Sequence, residues 1–283
     1  MSLTSLDIQQ PGISPRVARF RYSKVGKIRF TSHRDVGRMW ERALRKVSVA
    51  VAYTSGFSPR PRVAFGFALP TGAESVAEYV DVALALDKAH EVGDLPERLT
   101  PALPDGLEVT DCALLPASTP ALQAAVTSST WRITLPTPNF GGLATLSVGQ
   151  VPEVVTDWAD RLAELLDRPT VEIEVERKGA SVPTDIRPGI LAADVVDDGV
   201  ISCDLSAKGT RPADFLRALG ADPLDARLLR TQQWIDHDAG RAEPLAAVQP
   251  FSVLREDPIA DVRPQPVTAV SFAPSPARLA RGA

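Results

Sequence analysis

Arg34, Arg38, Arg42 and Arg45 recur at intervals of four, four and three residues, with Lys46 beside them. On a helix that spacing lines up one side. Guanidinium groups on one stripe repel each other unless an anion lies across them. A phosphate backbone suits them, because its oxygens accept paired N–H donors in a matched geometry. Glu41 offers partial relief within the helix, and a solvated, screened face is the competing reading. Arg60 and Arg62 extend the basic set from "TSGFSPRPR" (54–62). There Gly56 is free to take positive φ, and Pro59 and Pro61 restrict the backbone. The connection from Ser48 to Pro61 is longer than a helix-to-strand link requires. A stiff arginine-bearing loop of this kind suits phosphate contacts.

His33 precedes the stripe and is the candidate general base. The helix dipole disfavours its protonated form in a first turn. A neutral imidazole near phosphates would fit a metal-independent RNA endonuclease. A polar first-turn residue bonded to the neighbouring loop is the simpler expectation. Glu78 and Asp81 fall on opposite faces of an expected strand. They could pair with the arginines or hold a metal, the salt-bridge role being the expectation, and they are expected to line a cleft with His33, Gly56, Phe57 and Pro59. No paired-carboxylate site, P-loop, dinucleotide fingerprint or nucleophile motif is legible. Cys112 and Cys203 are far apart, and His33, His90 and His237 stand alone. No metal centre and no cofactor is therefore expected, and the cysteines read as small buried hydrophobes.

The 283 residues suit about two domains, and 44 % hydrophobic with 23 % charged residues is ordinary for a soluble globular chain. No apolar run approaches the roughly 20 residues of a membrane span. The N-terminus lacks the features of a secretory signal, so a cytoplasmic location is expected. The net charge of −4 hides an asymmetry. Residues 16–62 carry 13 Lys/Arg and 2 Asp/Glu, a net of +11, which leaves −15 for the remainder. A basic segment in an acidic protein implies an anionic partner.

The elements that must position these residues follow from periodicity. Strands are expected at 16–26, 62–70, 74–86 and 106–115, with helices at 32–47 and 91–101. Ser32 is a good N-cap with Asp35 three residues on. In "RVAFGFALP" (62–70), Val63, Phe65, Phe67 and Leu69 should share one face and read as core. A second round follows: strand 129–136, helix 153–167, strand 170–177, hairpin 190–205, helix 211–219 and strand 226–235. The expected fold class is α+β, two tandem ferredoxin-like (βαββαβ) units with disordered termini. The units span 15–117 and 128–237, between a flexible tail at 1–14 and a disordered tail at 238–283.

"KVGKIRFTSHRDVGRMWERALRKV", "SGFSPRPRVAFGFALPTGAESVAEYVDV" and "GTRPADFLRAL" resemble the bacterial radical-SAM-linked protein family, a domain of unknown function. The likeness is densest over residues 16–86. It rests on Phe30, Ser32, His33, Asp35, Arg42, Ala43 and Arg45, then Ser55, Gly56, Phe57, Pro59 and Pro61. Gly72, Ser75, Glu78, Tyr79 and Asp81 complete it. Arg34 replaces a usual aliphatic residue and Ser58 a usual Asn, so the extra basicity belongs to this chain. The resemblance implies a radical SAM enzyme as partner. The chain has no CxxxCxxC of its own to hold that enzyme's cluster. The combined expectation is a non-catalytic accessory protein that binds tRNA or rRNA through Arg34, Arg38, Arg42, Arg45, Arg60 and Arg62. The alternatives are the His33 endonuclease and a protein adaptor docking on an acidic partner.

Overall fold

Strand β1 (Arg16–Lys24) opens the chain of elements in a computed structural model that describes residues 16–85, 92–136, 158–177, 179–237 and 240–246. The expected tail at 1–14, the start of the helix at 153–157 and residues 238–239 and 247–283 of the expected C-terminal tail lie outside the described residues. Residues 240–246 are not tail: they form a short strand and a buried turn.

After β1 a 3-10 turn leads to helix α1 (His33–Lys46). The capping residues behave as their types dictate. Ser32 Oγ accepts from the Asp35 amide at 3.2 Å and donates to Asp35 Oδ2 at 2.8 Å. The apolar stripe Val36, Trp40, Ala43 and Leu44 is buried on β1. Trp40 meets the rings of Phe20 and Tyr22 with centroids 5.8 and 5.1 Å away.

Strands β2 (Val63–Phe65) and β3 (Glu74–Leu84) follow, then α2 (Leu95–Leu99) and β4 (Leu107–Leu114). These strands lie in the order β4-β1-β3-β2, all antiparallel. A short helix α3 (Leu122–Ala125) leads into β5 (Ser128–Thr134), α4 (Trp158–Asp167), β6 (Glu172–Arg177) and β7 (Ala180–Asp185). Then come β8 (Ile190–Asp197), β9 (Val200–Ser206), α5 (Pro212–Ala218), β10 (Arg227–His237) and β11 (Gly240–Ala242). Here the order is β10-β5-β9-β8, again antiparallel. The two sets join through β3 and β10, which pair in parallel at Glu74/Leu229 and Ser75/Arg230. The class is α+β, with one nine-stranded mixed sheet and a separate β6–β7 hairpin.

Two expectations need correction. The strand at 170–177 forms, but it pairs with β7 and stays out of the main sheet. Its alternation of Glu172, Glu174 and Glu176 with Ile173 and Val175 marks a strand with one apolar face and does not say which sheet receives it. β7 itself contains Pro183, which lowers any strand reading. The second correction concerns 62–70. β2 ends at Phe65: the Gly66 amide still bonds Tyr79 O at 3.0 Å in the same register, and the chain bends at Phe67. Val63 and Phe65 pack with α1, Phe67 joins a cluster around Tyr79, Leu122 and Leu245, and Leu69 joins the α4–α5 core. The four residues therefore serve three cores, not one face.

Gly106 offers a local test of the first unit of the chain. It has φ +89°, its carbonyl accepts from Val25 N at 2.9 Å, and an added Cβ would overlap Val25 O and come within 2.9 Å of Ile28 Cγ2. Gly106→Ala is expected to lose about 1–3 kcal/mol from the backbone conformation alone, with the contact adding to it. Urea unfolding checks this; a midpoint equal to wild type would contradict it.

Candidate functional site

The basic face of α1 points away from the core. Arg34, Arg38, Arg42, Arg45 and Lys46 are all exposed. Arg38 pairs with Asp35 at 3.2 Å. Among the described residues Arg34, Arg42 and Arg45 have no carboxylate partner, and neither does Glu41 a cationic one. At roughly 1.5 Å of rise per residue the arginines follow one another about every 6 Å along the helix. Gly37 faces the Phe65 ring, and a Cβ there would stand in ordinary contact with it, 3.4 Å from Phe65 Cε2. α1 is thereby held over the edge strand β2.

The arginine loop is a two-legged tongue. Ala85 N bonds Ala50 O and Ala52 N bonds Ala83 O, both at 2.8 Å, so the first leg lies along the end of β3. The second leg returns beside it, with Arg62 N on Ala52 O at 2.8 Å and Ala83 N on Arg62 O at 2.9 Å. Tyr53 bridges Pro61, and Thr54 N bonds Arg60 O at 2.9 Å. The Arg60 amide closes the base on Thr54 Oγ1 at 3.1 Å. Gly56 at the tip has φ +129°. Arg60 and Arg62 are exposed, Tyr53 is 52 % exposed and Phe57 is fully so at 111 %. Val63 packs with α1, so strand alternation sends Arg62 to the other side from the α1 stripe.

The six residues named as a cleft do not meet. His33, Gly56, Phe57 and Pro59 are exposed, and the His33 ring stands edge-on to Phe65 with centroids 5.2 Å apart. Glu78 and Asp81 are buried inside the sheet. Glu78 pairs with Arg230 at 2.9 Å, and Asp81 takes Arg19 through two bonds of 2.7 and 2.9 Å. Desolvation makes such pairing obligatory. Arg19, Arg230, Glu74 and Lys24 were not singled out by sequence reasoning. The available signal was the presence of Glu74, Glu78 and Asp81 in an otherwise apolar strand, since charged residues are rarely buried without partners.

Glu74 shows what this interior does electrostatically. The Arg227 guanidinium, bonded at 2.7 Å, holds its carboxyl below the ordinary value; burial opposes this, and the Gly26 amide at 2.7 Å and the charge of Arg29 assist. Lys24, whose Nζ donates to Arg29 O and Thr31 O at 3.3 and 2.9 Å, is lowered by burial. A carboxyl depressed on folding stabilises the protein above its unfolded pKa of about 4.3 and loses that contribution as pH falls through the folded value. Glu74→Gln is expected to flatten the acid limb of the stability curve between about pH 5 and 3. Urea midpoints across that range check it; an unchanged limb counts against the pairing.

Among the described residues no group of three His, Cys, Asp or Glu is placed to hold a metal ion, and no helix is long and apolar enough to cross a membrane. Burial pushes the Cys112 thiol up to about 12 and raises that of Cys203 as well. Both are far from the thiolate range that makes a cysteine reactive.

No curated protein matches the chain. A family model described as an uncharacterized protein conserved in bacteria (DUF2344) matches residues 18–213, which takes in α1, the tongue and the sheet through the start of α5. The chain belongs to this family of uncharacterized bacterial proteins.

Proposed function

We propose that the chain is a non-catalytic RNA-binding accessory protein, acting in the cytoplasm beside a radical SAM enzyme. The observation that carries the RNA reading is the set of exposed guanidiniums of Arg34, Arg42 and Arg45 on one helix without carboxylate partners. Arg60 on the tongue adds a fifth charge to Arg38 and these three. Phosphate oxygens would relieve their repulsion and accept bidentate bonds. The orders β4-β1-β3-β2 and β10-β5-β9-β8 support two tandem ferredoxin-like units, with β6–β7 inserted in the second. The radical SAM partner rests on the motif resemblance of residues 16–86.

Fluorescence anisotropy with tRNA and with an rRNA fragment tests the reading. If about four phosphates are neutralised, log K should fall with log salt at a slope near −3. Arg34→Ala/Arg42→Ala/Arg45→Ala should flatten that slope toward about −1. No binding even at low salt, or a triple variant that behaves as wild type, overturns the reading. RNA cleavage that disappears in His33→Ala would replace it with the endonuclease. Co-purification with a radical SAM enzyme that survives nuclease treatment would support the accessory role.

A further inference from the structure

We infer that the Tyr53–Pro61 tongue is a stacking platform for unpaired bases, so that the RNA is single-stranded where it meets Phe57; this rests on the RNA reading above. Phe57 is the most exposed large hydrophobic side chain among the described residues, at 111 %. Burying a Phe is ordinarily among the more favourable side-chain transfers, and this one stays in solvent. Gly56 and Ser58 flank it. The ring stands at the tip of a braced loop. Its base is closed by the Thr54–Arg60 bonds and tied to β3 through Ala52 and Arg62. Pro59 and Pro61 stiffen the returning leg. Tyr53, half-exposed at the base, supplies a second ring on the same element.

The surroundings select the occupant. An apolar groove in a protein partner would call for a contiguous apolar patch, and the neighbours of Phe57 are Ser55, Ser58 and Arg60, all exposed. An aromatic tip among polar and basic residues suits a ligand that carries flat π-faces and negative charge together. Single-stranded RNA has both. A duplex hides its base faces, so only its phosphates would remain for the arginines. The tongue follows α1 in the chain and is bonded to the end of β3, and in this inference one strand lays its bases on Phe57 and its phosphates on Arg42 and Arg45. The division of labour follows: arginines set the salt dependence, and the tongue discriminates strandedness.

Anisotropy titrations of the full chain decide this with one single-stranded oligoribonucleotide, the same strand annealed to its complement, and anionic phosphatidylserine vesicles. Phe57→Ala should weaken single-strand binding about 10-fold at constant salt, leave the salt slope unchanged, and leave duplex binding unchanged. Phe57→Trp should restore or tighten it, because the larger ring stacks at least as well. Equal single-strand affinities for wild type and Phe57→Ala overturn the inference. An equal loss on strand and duplex does so too. If the arginine variants weaken RNA binding while Phe57→Ala does not, the RNA reading stands and the stacking platform falls. If no RNA binds, both fall. Vesicle binding that depends on Phe57, with RNA binding that does not, assigns the tip to a membrane surface.

Discussion

Glu78→Ala is expected to destabilise the protein by about 3–5 kcal/mol, the cost of leaving a buried charge without its partner. Arg230 is 0 % exposed. Its Nη1 donates to Glu78 Oε1 at 2.9 Å and to Phe67 O at 2.8 Å, and Nη2 donates to Ala68 O at 3.0 Å. The guanidinium also faces the Phe67 and Trp131 rings at 5.0 and 4.8 Å. Water cannot replace the carboxylate in that setting, and among the described residues Arg230 Nε already has no partner. The Tyr22 hydroxyl lies in the same interior; burial first and the charge of Glu78 second raise its pKa well above the usual value. It cannot serve as a substitute anion near neutral pH. Glu78→Gln keeps an acceptor and should lose less than Ala. Guanidinium unfolding of the three proteins checks the order. A loss below about 1 kcal/mol for Ala would show that Arg230 finds another partner. Because Arg230 pairs with Ser75 across the parallel β3–β10 seam, Glu78→Ala should also loosen the join between the two antiparallel sets. Unfolding that splits into two transitions is the sign of it.

The residues that were legible in the sequence are those whose fate is decided locally. Ser32 and Asp35 cap α1 within one turn, and the i, i+4 spacing of Arg34, Arg38 and Arg42 sends them to solvent once Val36 and Trp40 choose the core. The length of the Ser48–Pro61 connection announced a tongue, and its prolines a stiff one. What was not legible depends on chain reversal and on distance. Phe67 leaves the face of Phe65 because the chain bends there, one residue after the last ladder bond from Gly66 to Tyr79 O, which alternation alone does not reveal. Glu78 and Arg230 are 152 residues apart, and no periodicity links them. Arg62 was grouped with the α1 stripe by nearness in sequence, while strand pleating sends it to the other side. β6 carries a strand signal, but its partner β7 holds a proline and its sheet is a separate hairpin. Nearness in sequence thus served for α1 and misled for the supposed cleft, whose two carboxylates are consumed by arginines of β1 and β10.

Asp81→Ala should cost about 3–5 kcal/mol for the same electrostatic reason, yet its rescue should differ. Arg19 is 0 % exposed, and it grips Asp81 through Nε at 2.7 Å and Nη2 at 2.9 Å. Its remaining bond goes from Nη1 to Pro244 O at 3.1 Å. Replacing both partners, as in Arg19→Met/Asp81→Leu, removes the unpaired charge and fills the space with apolar atoms. Such replacements are often neutral or stabilising. The double variant is therefore expected to recover most of the loss, what remains being about 1–3 kcal/mol for the buried Pro244 carbonyl that loses its Arg19 donor. The same operation at Glu78 and Arg230 should recover less, because it releases two carbonyls, that of half-buried Phe67 and that of exposed Ala68, and removes the cation from the Phe67 and Trp131 rings. The Asp81 double variant also isolates what holds residues 240–246. Without Arg19, that segment keeps the Arg21–Glu243 contact at 3.4 Å, the Tyr79–Glu243 contact at 3.5 Å and the buried Leu245. Hydrogen exchange should thus rise at 243–246 in the double variant while the sheet, with β11 paired to β10, stays protected. Should the double variant prove as unstable as Asp81→Ala, the loss belongs to packing around Asp81 and not to an uncompensated Arg19 charge.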